Sequence, residues 1–257
     1  MGRIVVITGA SSGIGAELAK KLAARGDQPV LVARRTALLE EVAAQCGPNA
    51  TSVTADVTVR ADVERVLTEA LSRHGQVDVW VNNAGRGISR PVLALTDEDV
   101  DEMMSVNLKS ALYGMQVAAR HMQERGTGHI INVSSMLARI PFASIRSAYS
   151  AAKHALMALT ANLRVDLRAT HPGIHVSAVI PGIVATEFGA SAMHGGPDSR
   201  QLPFAQPVGE VADAIVACID SPRAEVFTRP MYQQQVADYY SAADLAAVES
   251  KPPFVRV

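Results

Sequence analysis

The sequence predicts a doubly wound α/β fold, a mostly parallel sheet with helices on both faces. Three observations predict it. Short apolar runs alternate with longer segments of helical spacing along nearly the whole chain. The apolar runs lack period-two alternation, as expected of strands buried on both sides. Strand–helix–strand order without a linker calls for right-handed crossovers and makes residues 1–257 one domain.

Residues 3–7 (RIVVI) read as the first strand and 14–25 as the helix that follows. Residues 29–33 (PVLVA) are the next strand, and 36–46 a helix. A strand over 50–54 leads to a helix over 59–73. A strand over 77–81 (VDVWV) precedes one long helix within 96–124. Residues 128–133 (GHIINV) form a strand, 147–169 a helix and 173–180 a strand. A helix over 208–220, a short strand over 224–227 and a weaker helical stretch over 232–249 complete the chain. Two segments break the rhythm: 136–146, and 187–207, rich in Gly, Pro and Ser. Both follow the C-terminal ends of strands, where such sheets bind ligands. The loop near 187–207 is expected to be a substrate lid, because long irregular loops in compact domains commonly are.

Lys plus Arg number 24 and Asp plus Glu 25, a formal net charge of -1. That balance predicts neither nucleic acid nor an anionic membrane as partner. Cys46 and Cys218 are too few for a disulfide scaffold and match no metal spacing, so no metal site is expected. The chain enters a strand directly after Met-Gly-Arg, without a leader pattern, and has no apolar stretch of membrane-spanning length. The expected location is the cytoplasm.

The first strand runs into Thr8-Gly9-Ala10-Ser11-Ser12-Gly13-Ile14-Gly15, a G-x-x-x-G-x-G spacing at a strand-to-helix junction. Glycine permits the tight turn and lets backbone approach a pyrophosphate closely. The N–H groups opening the helix then face the anion. The pattern is either a plain Gly-rich turn or, as its place at a strand-to-helix junction near the N-terminus favours, the dinucleotide-binding end of a Rossmann-type sheet. An acid at the end of the second strand would read the ribose 2′-hydroxyl of NAD. The sequence instead has Ala33-Arg34-Arg35. Guanidinium suits a phosphate, and a cation opening a helix gains nothing from the helix dipole, so the pair favours NADP. Asp56, after the third strand, either contacts adenine or caps the following turn. Asn82-Asn83-Ala84-Gly85 after the fourth strand is either a self-satisfied turn or a wall of the same ligand site.

Tyr149 and Lys153 stand four apart at the start of a predicted helix, on one face. A tyrosine of pKa about 10 is a poor base near neutrality, and a nearby ammonium favours its phenolate. Ser134 and Ser135 end the preceding strand and bring a hydroxyl to the same region.

With these residues in place, the sequence resembles the short-chain dehydrogenase/reductase family in its compact single-domain branch. The matching motifs are TGASSGIG (8–15), NNAG (82–85), Asn107 within SVNL, NVSS (132–135), YSAAK (149–153) and PGIVAT (181–186). They occur in family order and span the chain to about residue 220, while the tail from Pro230 is not diagnostic. The resemblance implies NADP(H) as cofactor and Tyr149 as general acid in reduction and base in oxidation. It implies that Lys153 binds the nicotinamide ribose and lowers the Tyr149 pKa, that Ser135 bonds the substrate oxygen, and that Asn107 positions a water relay reaching Lys153. It places Gly9, Ser11, Ser12, Gly13, Ile14 and Gly15 at the pyrophosphate, Arg34 and Arg35 at the 2′-phosphate, and Asp56 and Val57 at adenine. Asn83, Ala84 and Gly85 line the cofactor, and Pro181, Gly182, Ile183 and Thr186 contact the nicotinamide end. Ser12 stands where some NADP-preferring relatives carry a basic residue. The interval from Ser135 to Tyr149 is one residue longer than usual. Either 136–146 carries an insertion or Ser134 is the substrate-binding serine; family order selects Ser135.

The expected activity is hydride transfer between nicotinamide and a small-molecule carbonyl or secondary alcohol, as a carbonyl reductase. The opposing class, a catalytically silent nucleotide sensor or scaffold of the same fold, would fit a lost Tyr or Lys, and both are present. Met136, Leu137, Ile140, Phe142, Phe188 and Met193 either wall an apolar substrate pocket or pack in the core. A homo-oligomer, dimer or tetramer, is expected through the helices within 96–124 and 147–169.

Overall fold

The computed structural model describes residues 2–254. Seven strands form one sheet in the order β3-β2-β1-β4-β5-β6-β7, every neighbouring pair parallel. They are β1 (Ile4–Thr8), β2 (Gln28–Ala33), β3 (Thr51–Thr54), β4 (Val79–Asn82), β5 (Gly128–Val133), β6 (Ile174–Ile180) and β7 (Glu225–Phe227). The order reverses between β1 and β4. That is the switch point where crossovers leave opposite faces and open a crevice beyond the strand ends.

Strand geometry sends successive side chains to opposite faces, and two cores result. Ile4, Val6, Val30, Val32 and Trp80 pack beneath α3 (Arg60–His74), α5 (Ser110–Arg125) and α6 (Ser147–Arg168). Val5, Ile7, Leu31, Val79 and Val81 face α1 (Gly13–Ala24), α2 (Thr36–Cys46) and α7 (Val208–Asp220). A polar chain crosses the first core: Trp80 Nε1 donates to Asn82, Asn82 to Asn132 and Asn132 to Thr160, at 2.8–2.9 Å. Each buried amide therefore has a partner, as buried polar groups require.

Two elements differ from the sequence reading. The long helix expected within 96–124 is broken into α4 (Asp97–Met104), a π-helical turn (Ser105–Lys109) and α5. Thr96 and Asp99 close a capping box that starts α4. The π turn adds one residue to the helical register and brings Asn107 inward. The weak stretch over 232–249 is two helices, α8 (Pro230–Ser241) and α9 (Leu245–Glu249). Tyr239, Val236 and Phe254 from this tail pack on Met136, Ile140 and Ile180, so it closes over the end of the sheet.

Candidate active site

The loops leaving the C-terminal ends of the strands enclose one cleft of about 1340 Å³. That exceeds the roughly 300–1,000 Å³ of ordinary ligand pockets, and is room for a dinucleotide with a second molecule. Gly9, Ser11, Ser12, Gly13 and Ile14 form its floor beside β1. Gly9 and Gly13 take positive φ, +68° and +56°, which side chains rarely adopt. A Cβ at Gly9 would lie 2.9 Å from the Ala84 Cα, so the loop sits directly against the β4 turn. Gly15 lies behind the floor and not on it; a Cβ there would stand 2.5 Å from the Gly9 carbonyl oxygen, so it allows α1 to fold back on the loop.

Helix α1 opens with no side-chain cap and no acid in its first turn. Its leading N–H groups therefore have an anion-binding geometry and nothing negative competing for it. The floor is fixed from below by Thr8. Its hydroxyl accepts from the N–H groups of Asn83 and Ala84 at 3.0 and 3.1 Å. Asn83 returns its side-chain amide to the Thr8 carbonyl at 2.9 Å. Asn83 thus braces the two turns, while Ala84 and Gly85 carry the wall onward.

Arg34 and Arg35 stand at the rim beyond β2. Arg35 donates to Ser12 at 2.7 Å and Ser11 at 3.1 Å, lying across the glycine loop. Arg34 is exposed and pairs with Asp56 at 3.6 Å. Burial works against the Asp56 charge, but bonds from Thr58 and the nearby Arg34 hold its carboxyl below the usual range. Val57 lines the rim beside it. Pro181, Gly182, Ile183 and Thr186 border the opposite end, and Gly182 packs against the Tyr232 ring of the tail.

At that end Tyr149 and Lys153 project from the first turns of α6, 6% and 4% exposed. Lys153 Nζ donates to the Val133 carbonyl at 3.0 Å and lies 5.8 Å from the centre of the Tyr149 ring. Asn107 does not line the cleft but is fully buried behind Gly85. Its amide donates to the Arg86 carbonyl at 2.9 Å and its oxygen accepts from the Arg86 N–H at 3.1 Å. A Cβ on Gly85 would stand 2.9 Å from the Asn107 oxygen and 3.7 Å from Lys153 Nζ, so the three groups are neighbours.

Both serines border the cleft, because β5 ends at Val133 and no longer alternates them. Ser135 borders the cleft with Tyr149 and favours its phenolate, and it accepts from the Leu137 N–H at 3.1 Å. Ser134 Oγ is buried and has no hydrogen-bond partner among the described residues. The Tyr149 pKa departs from the sequence expectation. Burial pushes it up to about 12, against the downward pull of Ser135 and of the Arg146 charge. Burial likewise draws Lys153 down to about 8. Desolvation of the phenolate outweighs an ammonium that is turned toward a carbonyl. Phe188 meets the Tyr149 ring edge-on at 5.3 Å. Sequence reasoning missed Thr8, because a strand-ending threonine has no distinctive pattern. It left open whether the tail joins the substrate pocket, and Met231, Tyr232 and Phe254 line the cleft.

A family profile described as short chain dehydrogenase matches residues 3–195. The chain belongs to that family of oxidoreductases. An uncharacterized oxidoreductase of Staphylococcus epidermidis is 34% identical to this dehydrogenase over 233 residues, 89% of this chain and 97% of the relative. A short-chain dehydrogenase/reductase from Burkholderia phymatum, solved in complex with NAD, matches all of this chain and 98% of its own with TM-score 0.86 and 25% identity. One from Burkholderia cenocepacia, in complex with NADP, matches with TM-score 0.81 and 29% identity over 100% and 98% of the two chains. Among the described residues no helix is long and apolar enough to cross a membrane, and no group of His, Cys, Asp and Glu is placed to hold a metal.

Proposed function

We propose that this short-chain dehydrogenase is NADP-dependent and works as a carbonyl reductase, interconverting a carbonyl compound and its secondary alcohol. The observation that carries the reading is the buried Tyr149–Lys153 pair, with Ser135 in one cleft with it and with an uncapped, glycine-shaped helix N-terminus. Bound there, the nicotinamide dinucleotide supplies or accepts the hydride. The protein supplies position and protons. Ser135 donates a hydrogen bond to the substrate oxygen. Tyr149, protonated at neutral pH, gives that oxygen its proton in reduction. Lys153 steadies the phenolate left behind and holds the nicotinamide ribose, and Asn107 keeps the Gly85–Arg86 wall beside it and orders the proton relay.

Gly9, Ser11, Ser12, Gly13 and Ile14 would hold the pyrophosphate, Asp56 and Val57 the adenine, and Pro181, Gly182, Ile183 and Thr186 the nicotinamide end. The NADP reading is supported by two guanidiniums and no acid at the end of β2; the solved relatives include both an NAD and an NADP complex. The test is fluorescence titration with NADPH and NADH. NADPH binds more tightly, and Arg34→Asp erases or inverts the preference. A charge-assisted contact to phosphate is worth about 1.5–3 kcal/mol, roughly tenfold or more in affinity. Equal affinities in the unmodified protein overturn the NADP reading.

A further inference from the structure

Among the described residues, Arg146 is a cation in the cleft without a counter-ion. It precedes α6 as its N-cap, is half-buried, and lines the substrate end. Other arginines on the cleft have carboxylates: Arg34 meets Asp56 at 3.6 Å, Arg86 meets Glu102 at 3.2 Å and Arg229 meets Glu210 at 2.9 Å. Arg35 is held by serine hydroxyls at the far end. Among the described residues Arg146 has no acid within salt-bridge distance, and its side chain has one hydrogen bond, from Nη1 to the Ile88 carbonyl at 3.1 Å. Glu187, the acid on the neighbouring wall, is exposed and paired with Arg200 at 3.3 Å. A guanidinium carries five N–H donors in a planar fork that matches a carboxylate. Leaving a half-buried one unpaired is costly.

Its surroundings leave it room. A Cβ at Gly87 would stand 3.0 Å from Nη1, and one at Gly196 would stand 3.0 Å from Nη2. Glycine at both positions lets two backbones approach the guanidinium while it stays in the cleft. Arg146 also stands three residues before Tyr149, directly ahead of α6, and both line the cleft. Burial lowers the Arg146 pKa, and the proximity of Tyr149 raises it. The remaining walls here are largely apolar, including Leu137, Phe142, Phe188 and Met231.

We propose that Arg146 determines specificity by binding an anionic group on the substrate, a carboxylate or a comparable oxyanion, a few bonds from the carbon that reacts at Tyr149. The inference rests on the carbonyl-reductase reading above. It makes the substrates keto acids and hydroxy acids, with an apolar portion against the Phe142–Phe188 walls.

The probes are α-, β- and γ-keto acids, each paired with its methyl ester, assayed by NADPH oxidation. The readout is the acid-to-ester ratio of kcat/KM within one protein, which a general loss of folding or activity does not move. The unmodified protein favours at least one acid over its ester by tenfold or more. Arg146→Met lowers that ratio by at least tenfold, chiefly through KM, as expected for a contact made in both ground and transition states. Arg146→Lys, which keeps the charge and loses the fork, retains part of it. Esters reduced as fast as acids by the unmodified protein, or a ratio unchanged in Arg146→Met, overturn the assignment of Arg146 alone. A protein that oxidises NADPH with no member of the panel overturns the carbonyl-reductase reading, and this inference with it.

Discussion

Burial sets the chemistry of Tyr149 and Lys153. With its pKa pushed up to about 12, the tyrosine keeps its proton across the physiological range, so it is loaded for donation. The lysine, drawn down to about 8, is the group that titrates within reach. Its ammonium is present below that pH and lost above it. Since kcat/KM reports the free enzyme's groups, kcat/KM for NADPH in reduction is level at neutral pH and declines as pH rises through about 8. A profile level well past pH 8, measured by initial rates, would refute this assignment of Lys153. At this scale the sequence was informative where spacing carries chemistry. Tyr149 and Lys153 were readable as a pair because four residues bring side chains to one face. Ser134 and Ser135 were not separable by alternation, because alternation ends with β5 at Val133. Arg146, like His194 and Arg200, read in the sequence either as a contact for a charged substrate or as a solvated loop charge, since only the fold shows which arginines have acids beside them.

Among the elements, the loop over 187–207 departs most from regular structure, and it is tied at defined points. Met193 donates to the Gly87 carbonyl, and the Ser89 N–H donates to the Met193 carbonyl, both at 2.9 Å. His194 bonds Asp99 at 2.7 Å, and Gln206 donates to the Ile183 carbonyl at 2.7 Å. Between these anchors Gly195 and Gly196 take positive φ, which suits a hinge. Amides over 195–205 therefore exchange fast in the free protein and gain protection with NADPH and a carbonyl compound bound, while those at Met193 and Gln206 change less. Hydrogen exchange followed by mass spectrometry checks this, and equal protection in both states counts against a lid. Helix breaks were the illegible part at this scale. Apolar spacing continues on both sides of the π turn at Ser105–Lys109, so periodicity shows one helix where the backbone makes three segments. The tail divided for a similar reason: Pro230 starts α8, and weak periodicity blurred the gap before α9.

Over the whole molecule, the strand order reverses between β1 and β4, and the glycine floor, arginine rim, and tyrosine–lysine pair all gather above that point. Strand–helix alternation and buried apolar runs were enough to anticipate this sheet, because parallel strands covered on both faces leave that pattern. They did not show that the tail from Pro230 returns over the substrate end, since such a return depends on packing against Met136 and Ile140. In the proposed reaction one cleft positions a proton donor against a carbonyl held beside a nicotinamide dinucleotide. Its test compares NADPH binding with steady-state turnover of a carbonyl substrate in Tyr149→Phe, which keeps the ring and removes only the hydroxyl. General acid catalysis is typically worth about 10²–10⁴-fold. NADPH affinity is expected to be unchanged, with turnover reduced by a factor in that range. Near-normal turnover in Tyr149→Phe would contradict the proposed reaction.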